Sequence, residues 1–362
     1  MPLTDDEARA LARSLPRALS GWGRTALAED AAALADEAAR GGDTDRYGGG
    51  GVVADVEEQV RDLLGADAAV LCPSGTLAQQ VALRHWCRRS PRVAMHATAH
   101  PLLHEDDALP TVQGLAPVVV GERVELDAVR AAHHDRPLGA VLVELPYRET
   151  GGQLTTYDEL AQLSAWCRES GVALHVDGAR LWECGPAFAA AGRSLADVVA
   201  LADSVYVSLY KGLGAPGGAV LLGPADLAEH TRLWRHRLGG TLVTMWPIAL
   251  GARRGLREAL PQVPSWVAHA QALAAALERA GAEVVVPPVT PLLHAVLPGA
   301  PDRVEDALVE ASRAAGIWLG RPQPGPREGT SRLEIAVMGP SLEVPPEEAA
   351  ELLARVVAVL RG

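Results

Sequence analysis

An aspartate and a lysine 34 positions apart, Asp177 and Lys211, are the residues of this sequence whose types and setting first invite chemistry. GVALHVD alternates apolar residues and ends in Asp177, so it reads as a buried strand presenting a carboxylate at its C-terminal end. DSVYVSLYKG is a second short β-branched run, which ends in Lys211 and breaks into the Gly/Pro-rich stretch GLGAPGG. The interval fits one helical crossover plus one strand. A parallel βαβ unit then places both residues at the same carboxyl edge of a sheet, where open α/β sheets bind ligands. On that edge the pair is either a salt bridge or a site for pyridoxal phosphate. In the second case the lysine forms a Schiff base with the aldehyde, and the anionic carboxylate keeps the pyridine nitrogen protonated.

Other residues fit such an edge. Ala68–Cys72 reads as a strand, followed by Pro73-Ser74-Gly75-Thr76 and a helix over Leu77–Arg88. A strand, a small-residue turn and a helix make an anion site, with the free N–H groups at Gly75 and Thr76 facing a phosphate. Ser74 serves equally as a plain N-cap. Ser208, three residues before Lys211, offers a hydroxyl to the same anion. After a strand at Val93–Met95 comes HATAHPLLHEDDAL, in which His96, His100, His104 and Glu105 invite a metal reading. Pro101 stands against it, because it would interrupt the helix that i, i+4 ligands require, and no metal is expected. His175 lies two residues before Asp177 on the same strand face and reads as a packed or hydrogen-bonded neighbour.

HVDGARLW followed by a lysine in SLYKGLGAPGGAVLLG resembles the threonine aldolase/β-eliminating lyase family of fold-type I pyridoxal-phosphate enzymes, from about Asp43 to the strand at Arg332. The resemblance implies Lys211 as the Schiff-base lysine and Asp177 at the ring nitrogen. It implies Ser74, Gly75, Thr76 and Ser208 at the phosphate. His100 matches the residue that stacks on the ring, with Glu105 as the acid five places later. Arg180 of DGAR matches a cofactor or substrate contact, and Tyr47 of DTDRYG matches the tyrosine of a loop at the site mouth; Gly48–Gly51 beside it also reads as a linker. Arg332, opening SRLEIAVMG, matches the arginine that grips the substrate α-carboxylate bidentately, the alternative being an ordinary strand-end arginine.

Three departures accompany the resemblance. The family's N-terminal substrate-contacting serine has no counterpart here. Glu144 fits the motif Glu-Asn-Thr-His-Asn, but Tyr147 stands where its histidine, a catalytic residue, would assist cleavage. A neutral phenol, with a pKa near ~10, is a poor general base at neutral pH. The arginine that in relatives lies beyond the Gly239-Gly240 pair and reaches the neighbouring subunit's phosphate is absent from Thr241-Leu242-Val243-Thr244. Arg235 or Arg237, on a basic helix over Asp226–Leu238, is the candidate substitute, unless that face is simply solvated.

To position these residues the resemblance implies an α/β chain of fold-type I, aminotransferase-like. The expected plan is a helical segment over 1–42, a large cofactor-binding domain over 43–250 with a mostly parallel sheet flanked by helices, and a smaller α+β domain over 251–362. Two Ala-rich helices between Thr4 and Arg40 are separated by Ser20-Gly21-Trp22-Gly23. The helix Tyr157–Ser170 leads into the Asp177 strand. The C-terminal region alternates helices at Trp266–Ala280, Val304–Ala315 and Glu347–Leu360 with strands at Glu283–Val286, Leu292–Leu297, Ile317–Leu319 and Arg332–Val337. Arg321–Arg327 reads as a Pro-rich loop.

A net charge of −12 over 362 residues argues against nucleic-acid or anionic-membrane partners. Four cysteines without a CxxC pair, no signal-like N-terminus and no apolar run of ~18 residues point to a reducing, cytoplasmic setting. The expected activity is aldol cleavage of a β-hydroxy-α-amino acid to glycine and an aldehyde. Alternatives are β-elimination, transamination, or a non-catalytic binding protein on the same fold. Family sites are completed by a second subunit, so a homodimer or homotetramer is expected.

Overall fold

In the computed structural model, which describes residues 3–22 and 27–361, the short β-branched runs become strands and the Ala/Leu-rich stretches between them become helices. Gly23, expected in the break between the N-terminal helices, lies outside the described residues. The first strand is β1 (Arg17–Ala18). There follow β2 (Ala68–Cys72), β3 (Arg92–Met95), β4 (Ala116–Val119), β5 (Ala140–Glu144), β6 (Ala173–Gly178), β7 (Ser204–Ser208) and β8 (Ala219–Gly223). These last seven form one sheet in the order β2-β8-β7-β6-β5-β3-β4.

All neighbours in that sheet pair in parallel except β8, which runs antiparallel to both β7 and β2. The sheet is therefore mostly parallel, and β2, β3, β5, β6 and β7 share one carboxyl edge. β5, β6 and β7 are buried along their whole length, as strands covered on both faces must be. The helix Tyr157–Ser170 has the bounds expected from its sequence. A reciprocal capping box between Thr156 and Glu159 starts it, and Gly171 in the left-handed conformation stops it. The helix after β2 spans Gly75–Trp86, two residues ahead of expectation, because Ser74 is its N-cap.

The chain divides into two compact units: Ala32–Pro146 with Leu154–Leu260, and the described residues of Met1–Ala31 with Tyr147–Gln153 and Pro261–Gly362. These bounds differ from the expected breaks at 42 and 250. The first helix, Asp5–Ser14, and the segment carrying Tyr147 both belong with the C-terminal residues.

In that second unit β9 (Glu283–Val284), β10 (Leu292–Pro298), β12 (Pro322–Pro324) and β13 (Thr330–Ala336) form an antiparallel sheet in the order β12-β13-β10-β9. β11 (Ile317–Trp318) pairs in parallel with β1. The stretch expected as a Pro-rich loop thus holds a strand. Its two prolines are tolerated because β12 is an edge, with one side needing no backbone donor. Along β13, Ser331, Leu333 and Ile335 are buried, while Arg332 and Glu334 lie on the other face.

The loop after Lys211 is fixed from behind by the helix Trp246–Glu258. A Cβ on Gly255 would lie 2.2 Å from the carbonyl oxygen of Leu213. Helix propensity alone favours alanine there by ~1 kcal/mol. Displacing buried backbone costs about 1–3 kcal/mol and outweighs it. Gly255→Ala is therefore expected to lower the melting temperature in a thermal unfolding scan; an unchanged or raised value would contradict this packing.

Candidate active site

Four of the expected residues or motifs follow the carboxyl ends of mutually parallel strands: Ser74-Gly75-Thr76 after β2, His100 after β3, Asp177 at the end of β6 and Lys211 after β7. Asp177 is opposite Glu144 of β5 and Tyr206 of β7 in register. Its side chain is buried, and Oδ1 accepts a hydrogen bond from the Ala179 amide at 3.0 Å. The turn to Lys211 is made by Ser208, whose Oγ accepts from the amides of Tyr210 (3.3 Å) and Lys211 (3.2 Å). Trp182 Nε1 donates to the Ser208 carbonyl at 3.1 Å and ties the turn to the segment following Asp177.

The electrostatics of the two residues are linked. Burial, together with the like charge of Arg180, pushes the Lys211 ammonium down to about 8, against the pull of Asp177, Glu183 and Glu144. Burial and the like charge of Glu144 push Asp177 up to about 6, against Lys211, the Ala179 amide and His100. At pH 7 the acid is mostly ionised and the amine mostly protonated. Lys211 is also the only lysine in the chain, a signal hidden when lysine and arginine are counted together.

At the anion end, Ser74 Oγ accepts from the Leu77 amide at 3.2 Å, and the Ala78 amide returns to the Ser74 carbonyl at 3.3 Å. The amides of Gly75 and Thr76 are left without an acceptor among the described residues, as an anion site requires. Gly75 has a second reason to be glycine: a Cβ would lie 2.3 Å from the Tyr206 hydroxyl oxygen. Its identity therefore follows from packing whether or not an anion binds.

His100 opens a short helix, His100–Leu103, with Pro101 in the first turn, where no N–H is needed. Pro101 thus starts this helix rather than interrupting one. His100 Nδ1 is 3.0 Å from the buried Glu105 Oε1. His96 lies ahead of the helix, with Nε2 3.2 Å from Glu144 Oε2 and Nδ1 3.2 Å from Thr98 Oγ1. The histidine string is therefore divided between separate carboxylate partners, and no group able to hold a metal occurs among the described residues. His175 is fully buried, with Nδ1 2.8 Å from Ser204 Oγ, which also accepts from Trp86 Nε1 at 2.8 Å. Burial pushes this imidazole down to about 3, so it is neutral.

Arg180 lies beside a residue that sequence reasoning missed. Glu183 is buried, its Oε2 is 3.8 Å from Arg180 Nε, and a Cβ on Gly212 would be 2.9 Å from its Oε1. The i, i+3 spacing within DGARLWE was the available clue. Tyr47 is 54% exposed, in the left-handed conformation (φ 53°), and its amide donates to the Val243 carbonyl at 2.8 Å. Asp45 beneath it accepts from the amides of Gly48 (3.2 Å) and Met245 (2.8 Å). Arg235 is buried and donates to the carbonyls of Leu71 and Gly48. Arg237 packs over the Trp234 ring, 4.9 Å from its centroid.

Tyr147 and Arg332 belong to the other unit. Tyr147 is fully buried, and its amide donates to the Gln153 carbonyl at 2.8 Å. The Arg332 guanidinium donates to Gln323 and Glu149.

Residues 25–297 match the family model described as beta-eliminating lyase. Aldolase vrtJ of Penicillium aethiopicum is 34% identical over 209 residues, 55% of this chain and 52% of that protein. Low-specificity L-threonine aldolase 1 of Arabidopsis thaliana is 29% identical over 221 residues, 58% of this chain and 61% of that one. The match thus spans about half to three fifths of the length of these curated relatives. Among solved structures, a "putative L-allo-threonine aldolase" of Listeria monocytogenes EGD-E is 31% identical, with a TM-score of 0.87 over 98% of both chains. The threonine aldolase of Leishmania major, 18% identical with a TM-score of 0.75, shares the fold over 95% of this chain and 100% of its own. The architecture is that of the fold-type I enzymes.

The depressed Lys211 value has a direct consequence. Between about 8 and the ordinary 10.5 the unfolded chain holds a proton on this lysine that the folded chain has released, so this group's contribution to stability rises with pH across that window. Acylation of the ligand-free protein, read at Lys211 by peptide mass mapping, is expected to accelerate with a midpoint near pH 8. A midpoint near 10.5 would show an unperturbed amine.

Proposed function

The chain belongs to the beta-eliminating lyase family, and from that premise we propose that it is a pyridoxal-phosphate-dependent lyase that cleaves a β-hydroxy-α-amino acid to glycine and an aldehyde. The observation that carries this reading is the placement of buried Asp177 and half-buried Lys211 at the edge where parallel β6 and β7 end and which Ser74-Gly75-Thr76 also follows. An aldehyde, a basic ring nitrogen and a phosphate are the three features that such a set answers. The residues present therefore fit the cofactor.

Pyridoxal phosphate, when bound, supplies an electron sink that stabilises negative charge on the substrate's Cα. Lys211 would hold the aldehyde, and once the substrate's amine had displaced it, its free amine would take up and return protons. Asp177 would face the ring nitrogen, where an ionised carboxylate favours the protonated ring. Gly75, Thr76 and the hydroxyls of Ser74 and Ser208 would hold the phosphate. His100, its Nδ1 3.0 Å from Glu105 Oε1, would cover the ring. Arg332 would receive the α-carboxylate. Tyr147 stands where relatives carry a histidine, so the Lys211 amine or an ordered water takes the β-hydroxyl proton. That same substitution favours β-elimination as the second reading.

The protein acts as a homo-oligomer in the cytoplasm. The exposed Tyr47, Leu242 and Val243 support the first statement, because they offer apolar surface beside a loop that in the family completes a neighbouring site. Four buried free thiols support the second.

Incubation of the holoprotein with threonine, allo-threonine, phenylserine and cysteine, assaying glycine, aldehyde and pyruvate separately, tests the reaction. Glycine with an equimolar aldehyde is expected, and Lys211→Ala should abolish both. Pyruvate without glycine would move the assignment to β-elimination, and no product from any substrate would contradict the lyase.

A further inference from the structure

We propose that Glu149 is an internal occupant of the carboxylate-gripping fork of Arg332, held there until a substrate α-carboxylate takes its place, with Arg148 receiving the displaced side chain. The proposal rests on Arg332 being the α-carboxylate receptor.

A guanidinium has five N–H donors. Here Nε donates to Gln323 Oε1 at 3.0 Å, Nη1 to the Glu149 carbonyl at 2.8 Å, and Nη2 to both Gln323 Oε1 (2.6 Å) and Glu149 Oε2. Those four bonds leave one N–H, whereas a bidentate grip on a carboxylate needs two in parallel. Gln323, opposite Arg332 in the β12–β13 register, and the Glu149 carbonyl are neutral, so they fix the guanidinium plane without cancelling its charge. The Glu149 carboxylate is the one partner with the charge and shape of the expected ligand. With only 19% of the Arg332 side chain and 8% of the Glu149 side chain exposed, the pair is shielded and not a screened surface contact.

The arrangement also provides somewhere for Glu149 to go. Its Oε1 is already 3.2 Å from Arg148 Nη1. Arg148 is itself anchored by Glu334, through Nε to Oε2 at 2.8 Å and Nη2 to Oε1 at 3.2 Å. Glu149 therefore keeps a cation when it leaves Arg332, and the exchange substitutes one carboxylate for another on the same fork. A ligand lacking a carboxylate gains nothing from that exchange. The contact thus lowers the apparent affinity for amino acids by the fraction of forks that are closed and makes the α-carboxylate the group that opens them.

The test is a titration of the holoprotein's cofactor absorbance with glycine and, separately, with methylamine, for wild type, Glu149→Gln and Glu149→Ala. Both variants are expected to bind glycine about fivefold more tightly or better, the equilibrium equivalent of losing one modest ion pair, with methylamine binding unchanged. Glycine binding that is unchanged or weaker in both variants would overturn the proposal and make Glu149 a brace for Arg332. Arg332→Ala separates the two claims. If it weakens glycine binding while the Glu149 variants do nothing, only the competition fails. If it leaves glycine binding intact, the receptor assignment itself is wrong.

Discussion

An ammonium and a carboxylate taken out of water at the end of a sheet destabilise a protein unless each answers the other or a ligand answers both. The larger unit is built around that constraint. Asp177 is driven toward its neutral form and Lys211 toward its own by the same burial, and each resists through the charge of the other. Fully buried β5, β6 and β7 supply the dry surroundings, and their parallel pairing delivers both residues to one edge. The surrounding hydrogen bonds hold that edge in shape. Ser208 turns the chain into Lys211, Ala179 holds Asp177, and Glu105 fixes His100.

The C-terminal unit solves a similar problem differently. Arg148, Glu149, Arg332 and Glu334 form a neutral chain of alternating charge on one face of its sheet. No member of that chain faces a charge without an opposite beside it, so the unit holds two arginines at low cost while no substrate is present. The larger unit leaves its carboxylate and ammonium shifted toward their neutral forms, whereas the smaller one sets a carboxylate against each of these two arginines.

Much of this was legible in the sequence where local pattern decides structure. Alternation marked the Asp177 strand, and the helix before it has the bounds expected, Tyr157–Ser170. The small-residue turn after Cys72 announced a helix N-terminus. What was missed depends on pairing between distant residues. Nothing local says that Pro322–Pro324 can be a strand; its position at an edge allows it, and that in turn sets Gln323 against Arg332. Glu149 looks like an ordinary acid until the fold brings it to Arg332. Arg235, read as a candidate substitute for the absent arginine or else as part of a solvated face, turns inward to two carbonyls. The single lysine was readable throughout, since one lysine in 362 residues marks its own position.

That singularity makes the central claim open to one direct measurement: reduction of the pyridoxal-phosphate-reconstituted protein with borohydride, followed by mass mapping of its peptides. The account predicts one pyridoxyl adduct per chain, on the peptide containing Lys211. An adduct confined to the α-amino terminus, or none despite bound cofactor, would contradict it.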